Sequence, residues 1–145
     1  MVEYRKLCID DLSSVLQMNL SFRAGFIDST AAKAFLSKES NWLFAAIEEG
    51  NIVGFAYGYE LNRLDRSEPM LYIHEVGVKE SHQRIGIGYR LMQELLSECR
   101  AKGICKCFLT TYQNNTAANA LYKKLGGSVP EESQGNDTVY WFKTN

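Results

Sequence analysis

The chain lacks the features that mark a membrane protein or a nucleic-acid-binding protein. It contains no apolar run approaching the roughly 20 residues that span a bilayer, and residues 1–6 lack the apolar core of a signal peptide. Its 16 Lys and Arg are balanced by 17 Asp and Glu, so the net charge of −1 gives no support for a clustered basic face. We therefore expect no membrane partner, no nucleic-acid partner and a cytoplasmic location.

Residues that bind metal ions are also scarce. The only histidines are His74 and His82. The four cysteines, which form no C-x-x-C pair and no cluster with histidine, are Cys8, Cys99, Cys105 and Cys107. We expect no metal site. Cys105 and Cys107 alternate along a predicted strand, where they suit small buried apolar positions, and a catalytic thiol has no obvious partner.

What the chain does contain is an orderly series of strand and helix patterns. A length of 145 residues suits one domain, residues 1–145, without repeats or linkers. Alternating, aromatic or β-branched runs predict strands at residues 2–7, 42–47, 52–59, 70–78, 104–110 and 138–143. Helices are predicted to start at a cap on Asp10 or Asp11, at Ser29 or Thr30, at Gly86, and after a cap on Asn114 or Asn115. The first of these helices is expected to bury a stripe that ends at Leu20. Together these patterns predict an α/β domain.

A glycine turn separates the predicted strand 70–78 from a long amphipathic helix. The turn runs from His82 to Arg90 and carries Gly86 and Gly88. The first N–H groups of a helix have no partner within it, and the helix dipole adds about half a positive charge there. Glycines also let a phosphate lie against bare backbone. The turn therefore favours the phosphates of a nucleotide-like cofactor, with a simple helix entry as the alternative.

Neither of the two best-known phosphate motifs explains this turn. A P-loop requires Lys followed by Ser or Thr, whereas Gly88 is followed by Tyr89 and Arg90. The dinucleotide fingerprint requires a third glycine at position 91, where this chain has Leu91. A different kind of phosphate site is therefore expected.

Two further features accompany the turn. Glu75 interrupts an apolar strand between Ile73 and Val76, and acids in such positions are rare unless they are paired or used. The helix after Asn115 carries Tyr122 on its apolar stripe, where the alternative role is that of a core tyrosine.

The order and spacing of these motifs resemble those of the GNAT-superfamily N-acetyltransferases. The matching motifs are Val76-Gly77-Val78, then Gln83-x-x-Gly86-x-Gly88, then Asn115-x-x-Ala118-x-x-x-Tyr122-x-Lys124-x-Gly126. Within the superfamily, the run from Glu60 to Glu75 resembles the gentamicin-type aminoglycoside 3-N-acetyltransferases. The resemblance spans essentially the whole chain and implies a single mixed, largely antiparallel sheet of about six to seven strands flanked by about four helices.

The resemblance also implies acetyl-CoA as the acetyl donor and assigns the residues that hold it. The cofactor-binding residues carried over are Val76, Val78, Gln83, Arg84, Ile85, Gly86, Gly88, Tyr89, Asn115 and Ala118. Amides of the glycine turn would hold the pyrophosphate, and Val76 and Val78 would pair with the pantetheine arm. The Val76 N–H would meet the acetyl oxygen, Asn115 would bond the pantetheine, and Ala118 would leave room for it.

The implied reaction is direct attack of an amine on the thioester. An alkyl ammonium with a pKa near 10 must first lose a proton, for which Glu75 is the candidate base and Tyr122 the candidate acid for the leaving thiolate. Strand parity puts Tyr72 and His74 on one face and Glu75 on the other, unless a bulge changes the count. His74, with an ordinary pKa near 6.5, is therefore a second base candidate.

The acceptor is less well defined than the donor. Polycationic aminoglycosides would need many carboxylates, for which the candidates are Glu60, Asp65, Glu68, Glu75, Glu131, Glu132 and Asp137. However, the loop Gln113–Thr116 is not acidic, and Gly127 replaces an aromatic residue usual after Gly126. A small amine is the expected substrate, with a peptide or protein amine as the rival. An idle acyl-CoA-binding module is the alternative from another class. A homodimer through the final strand, around Trp141, is also possible.

Overall fold

A computed structural model describes residues 1–20, 22, 26–129 and 137–144, excluding the side chains of Leu20 and Asp137. The strands are β1 (Val2–Lys6), β2 (Asn41–Glu48), β3 (Asn51–Leu61), β4 (Met70–Val78), β5 (Lys106–Tyr112) and β6 (Asp137–Lys143). The α-helices are α1 (Leu12–Gln17), α2 (Ser29–Leu36), α3 (Ile87–Ala101) and α4 (Thr116–Lys124). Short 3₁₀ turns lie at Ile9–Asp11, Met18–Leu20 and Glu80–His82.

The six strands form one sheet in chain order, from β1 to β6. Every neighbouring pair is antiparallel except β4 and β5, which run parallel. An isolated bridge between Ser128 and Trp141 lies on the outer side of β6. The expected mixed, largely antiparallel sheet with four helices is confirmed.

Helices cover the sheet on both faces. On one face, which we call the α3/α4 face, Leu91, Met92 and Leu95 of α3 pack with Tyr122 of α4 and Ile73 of β4. On the other face, the α1/α2 face, Val15 and Ala32 of the two short helices pack against Phe55 of β3. Within the described ranges, no helix is long and apolar enough to cross a membrane.

The helix ends show which sequence signals decide local structure. Asp28 caps α2 by accepting from the Ala31 N–H at 2.8 Å, and Asn115 caps α4. Asp11 precedes α1, but its carboxylate makes no bond to that helix. It accepts from Arg5 at 2.8 and 3.0 Å and from the Cys8 N–H at 2.9 Å instead, so the expected side-chain cap is wrong. The α-helix also ends before Leu20, which lies in a 3₁₀ turn.

Helices α3 and α4 both end in a Schellman motif, in which a glycine adopts positive φ. After α3, Gly103 has φ of +76° and the Ile104 N–H donates to the Cys99 carbonyl at 2.9 Å. This bond holds Ile104 in the helix end, so β5 begins at Lys106 rather than at the expected residue 104. Cys105 therefore precedes the strand and is half-buried, whereas Cys107 is fully buried.

The end of α4 explains why Gly127 stands where an aromatic residue is usual. The Gly127 N–H donates to the Tyr122 carbonyl at 2.9 Å. A Cβ added at position 127 would lie 2.8 Å from the Phe142 ring and 2.9 Å from that same carbonyl. Phe142, contributed by β6, thus fills the space in which a side chain on residue 127 would sit.

Candidate active site

A β-bulge in β4 sets the orientation of the candidate base. Tyr57 of β3 pairs with Glu75, but its neighbour Gly58 pairs with Ile73, so His74 is an extra residue without a partner. Gly58 is required at this point because a Cβ there would lie 1.9 Å from the Tyr72 carbonyl oxygen. The bulge is therefore built into the sequence of both strands.

The bulge changes the face of the sheet to which Glu75 projects, relative to strict alternation along β4. Because Glu75 lies directly opposite Tyr57, both side chains project to the α1/α2 face, and Glu75 lines a cavity there together with Tyr57 and Tyr59. The alternating count, which separated Glu75 from His74, is wrong for this reason. Burial raises the pKa of the Tyr57 hydroxyl, and the negative charge of Glu75 adds to the rise.

His74 lies on the same face as Glu75. Its Nδ1 is 2.9 Å from the Tyr72 hydroxyl oxygen, and its ring centroid is 5.3 Å from that of Tyr57. Tyr72 is itself held by stacking on Phe108 at 5.1 Å, which stacks on Trp141 at 4.8 Å. Both His74 and Glu75 are exposed to solvent, so either side chain can meet an incoming amine.

Next to the bulge, β4 and β5 separate. Their pairing covers only the three residues Leu71 to Ile73 of β4, while β5 continues its pairing with β6 as far as Tyr112. The Lys79 N–H donates to the Val53 carbonyl of β3 at 2.8 Å. Because backbone groups alternate along a strand, the N–H groups of Val76 and Val78 point away from β3 toward the opening. No strand pairs with them there among the described residues.

The glycine turn lies at the end of this opening. Gln83 donates from its side-chain amide to the Val78 carbonyl at 3.0 Å, which fixes the turn to β4. Arg84 and Gly86 have φ of +65° and +89°. Helix α3 then begins at Ile87 with no side-chain cap and no acidic residue in its first turn. Its first N–H groups are thus available to an anion.

The surroundings of Gly88 suit a bulky ligand. A Cβ added at Gly88 would meet only Val78 and Leu121, at ordinary distances of 3.6 and 3.7 Å. Packing within the protein therefore does not require glycine at this helical position. The glycine is instead explained by a phosphate group, which can lie against backbone that carries no side chain. The residues present therefore fit the pyrophosphate of acetyl-CoA.

Gly88→Ala should separate stability from cofactor binding. We expect the free protein to gain about 0.5–1 kcal/mol in urea unfolding, because alanine is the better helix residue. The KM for acetyl-CoA should rise about tenfold as the methyl group pushes the phosphate away. Gly103→Ala is the control: it should lose stability at its positive φ and leave KM unchanged. An unchanged KM in Gly88→Ala would contradict the assignment.

The remaining turn residues have distinct environments. Arg84 is exposed, the Ile85 side chain is 68% exposed, and Tyr89 is half-buried under the Lys124 ammonium, 4.5 Å from its ring centre. An exposed Ile85 beside an uncapped helix start is an apolar contact available to a ligand.

A hydrogen bond that the sequence did not reveal holds the start of the turn. The His82 Nε2 lies 3.0 Å from Glu48 at the end of β2, and its Nδ1 lies 2.8 Å from the Ser81 hydroxyl. The hydrogen bond from His82 lowers the pKa of the Glu48 carboxyl. Because Glu48 and His82 are 34 positions apart, only the folded sheet brings them together.

Helix α4 closes the opening on the α3/α4 face. Asn115 uses its Oδ1 to accept from the Ala118 N–H at 3.2 Å, so its amide nitrogen is the part directed to other partners. Asn119, which the sequence analysis missed, donates to the Tyr112 carbonyl at 3.0 Å and accepts from the Tyr140 hydroxyl at 2.7 Å. It ties α4 to both β5 and β6.

Tyr122 lies on the α3/α4 face, in the same cluster as Val76, Val78 and Ala118. Its ring centre is 5.4 Å from that of Tyr140. Burial raises the pKa of Tyr122 to about 12, and Tyr140 adds to the rise. Tyr122 therefore stays protonated across the pH range in which enzymes work.

This raised pKa predicts a loss of stability in alkali. The folded-state pKa lies above the ordinary 10.0, so the contribution is fully present below pH 10 and is lost as the pH rises toward 12. Two pKa units correspond to about 2–3 kcal/mol. In urea unfolding between pH 9 and pH 12, Tyr122→Phe should lose less stability than the wild type by that amount. Parallel pH profiles for the two proteins would contradict this.

Among the described residues, the acids other than Glu75 that were nominated for a polycation do not gather at the site. Glu60 accepts from the Trp42 indole at 2.7 Å on the α3/α4 face, so its predicted place at the acceptor is wrong. Asp65 is paired with Arg63 and Arg66 in the β3–β4 loop, where Glu68 is exposed. Glu131, Glu132 and the Asp137 side chain lie outside the described residues.

A model of the acetyltransferase (GNAT) family matches residues 10–127. The N-alpha-acetyltransferase RimI of Mycobacterium tuberculosis is 36% identical over 92 residues, which cover 63% of this chain and only 54% of that protein. The 5-NmdU N-acetyltransferase of Pseudomonas phage PaMx11 is 25% identical over 145 residues, covering 99% of each protein.

A solved structure shows the same fold. The aminoglycoside acetyltransferase from an uncultured soil metagenomic sample, crystallised with trehalose, superimposes with a TM-score of 0.82 at 23% identity, covering 92% of this chain and 93% of that one. The family match includes the bulged strand β4, the glycine turn and α4. The chain therefore belongs to the acetyltransferase (GNAT) family, and it is an acyltransferase.

Proposed function

We propose that this protein transfers the acetyl group of acetyl-CoA to a primary amine by direct attack in a ternary complex, and that the acceptor is a small amine. One observation carries the proposal: Glu75 and Tyr122 lie on opposite faces of the sheet, beside the place where β4 and β5 separate. Residues 1–145 would form one acetyltransferase domain.

Acetyl-CoA supplies the activated acetyl thioester. On the protein side, the amides of the turn from Gln83 to Tyr89 would hold its pyrophosphate, with the positive end of α3 behind them. Val78 would donate its open N–H group to the pantetheine, and the Asn115 amide nitrogen would add a second donor. The Val76 N–H would stabilise negative charge on the acetyl oxygen, a contribution of about 2.7–4 kcal/mol in other enzymes.

Glu75 would take the proton from the amine, directly or through one water molecule. Its carboxylate is exposed and lines the cavity next to Val76. A carboxylate is a weak base for an ammonium of pKa about 10. An ammonium has no lone pair, so the nitrogen attacks only as the free amine, after one proton has left it. The remaining N–H protons become far more acidic as the new N–C bond forms, and at this step a carboxylate is an efficient proton acceptor. His74, on the same face, is the second candidate for this role.

Tyr122 would act on the leaving thiolate. A thiol has a pKa of about 8.5, well below the pKa of about 12 for Tyr122. Complete proton transfer from the phenol is thus uphill, and the hydroxyl would contribute mainly by donating a hydrogen bond as the sulfur gains charge.

The test is a panel of amines mixed with acetyl-CoA, in which released CoA and acetylated product are both measured. Acetylated small amines would support the proposal. Acetylation confined to peptides would favour the rival reading as a peptide or protein acetyltransferase. Tight acetyl-CoA binding without product from any amine would favour an idle acyl-CoA-binding module.

Direct transfer also predicts that no cysteine is needed. A hydrogen bond with Cys99, together with burial, raises the pKa of the Cys107 thiol, which makes it a poor nucleophile. Replacing all four cysteines with alanine or serine should leave kcat within about threefold of the wild type. Loss of turnover in a variant whose circular dichroism spectrum is unchanged would contradict direct transfer.

A further inference from the structure

A cavity of about 470 Å³ opens on the α1/α2 face beside Glu75. Its floor is formed by Phe55, Tyr57 and Tyr59 of β3, and α2 contributes Ala31 and Phe35 to the wall. This volume lies within the range of about 300–1,000 Å³ that is typical of small-molecule sites. The cavity is the natural place for the body of an acceptor whose amine reaches Glu75.

The charge in this cavity is low. Of the described residues that line it, two are acidic, Asp28 and Glu75. The Asp28 carboxylate accepts from the Ala31 N–H at 2.8 Å as the cap of α2, so it is already used by the helix. Among the described lining residues, Glu75 is thus the carboxylate that is not engaged in a helix cap. Glu60 and Asp65, which a polycation would need, are bonded elsewhere.

We propose that the acceptor is a small amine that carries a single positive charge on an aliphatic or aromatic body, rather than a polycation. The inference rests on the proposed acetyl transfer and defines its substrate class. One ammonium meets Glu75, and the apolar body lies against the aromatic floor. The other acidic residue among the described lining residues, Asp28, already caps α2, so a second ammonium would lose its hydration against mostly apolar walls for a weak partner, which is unfavourable.

A matched pair of amines tests this inference. Hexylamine and 1,5-diaminopentane have the same chain length and differ only in a terminal methyl group or a second ammonium. We expect kcat/KM to be about a hundredfold higher for hexylamine, because its methyl end enters the cavity without desolvating a charge. 2-Phenylethylamine should resemble hexylamine, whereas kanamycin and an apolar hexapeptide should be poor acceptors.

A matched pair of variants tests the location. Ala31 and Ala34 are both exposed alanines of α2, but only Ala31 lines the cavity. Ala31→Phe should raise the KM for hexylamine at least tenfold and leave that for methylamine within about threefold. Ala34→Phe should change neither value, and both variants should show the wild-type melting temperature within a few degrees.

The outcomes separate the two proposals. Equal or better use of 1,5-diaminopentane, kanamycin or the hexapeptide would overturn the inference while leaving acetyl transfer intact. An unchanged KM for hexylamine in Ala31→Phe would overturn the assignment of this cavity. If acetyl-CoA binds but no amine in any class is acetylated, the proposed function itself fails, and the inference fails with it.

Discussion

Replacing Tyr122 with phenylalanine is expected to lower kcat about a hundredfold, with little change in the KM for acetyl-CoA. The ring would remain packed beside Tyr140, so the pocket would keep its shape. Only the hydroxyl that donates to the departing sulfur would be lost, and removal of one such donor typically costs about 10²–10³ in rate. Steady-state kinetics with saturating amine would measure the effect.

Tyr140→Phe is the matched control for this prediction. It removes a hydroxyl from the same cluster, but that hydroxyl donates to the Asn119 side chain at 2.7 Å and is not assigned to the reaction. We expect a loss of about 1 kcal/mol in stability and a change in kcat of less than about threefold. A kcat for Tyr122→Phe equal to that of this control would reduce Tyr122 to a core residue.

Replacing Glu75 with glutamine is expected to lower kcat/KM for the amine by about 10²–10⁴, the usual contribution of a general base. The amide has nearly the same size, so the cavity should keep its shape. The effect should be largest at neutral pH, where the amine is protonated. It should shrink as the pH approaches the pKa of the ammonium, near 10, where the amine is already free. Rates measured from pH 6 to pH 10 would show this trend.

His74→Ala separates the two base candidates. If Glu75 is the base, loss of the imidazole beside Tyr72 should reduce kcat/KM less than about tenfold. If His74 is the base, this variant should instead lower kcat/KM by about 10²–10⁴, the usual contribution of a general base. Wild-type rates in both Glu75→Gln and His74→Ala would contradict both assignments. Water would then be the acceptor of the amine proton.

Local signals in the sequence predicted the strands and helices well. Glu49 and Gly50, with φ of +52° and +80°, form the tight turn between the two predicted strands β2 and β3. The glycine turn precedes α3, and Gly103 follows its end. Such features depend on residues that are close along the chain, so local stereochemistry is enough to predict them.

Errors arose where a competing partner came from elsewhere in the fold. The Asp11 carboxylate is taken by Arg5 of β1, and Glu60 by the Trp42 indole of β2. The predicted face of Glu75 was wrong because the bulge in β4 depends on Gly58 in the neighbouring strand. None of these contacts follows from the spacing within a single element.

By itself, the sequence determined that this chain has a glycine turn between a strand and a helix, followed by a helix with Asn115 and Tyr122. These are properties of adjacent residues and of a helix start. Only the tertiary structure decided the face to which Glu75 projects and which described residues line its cavity. It also decided that β4 and β5 separate between Glu75 and Tyr122. Each of these depends on the register between strands, because one extra residue in a strand changes the face on which every following side chain lies.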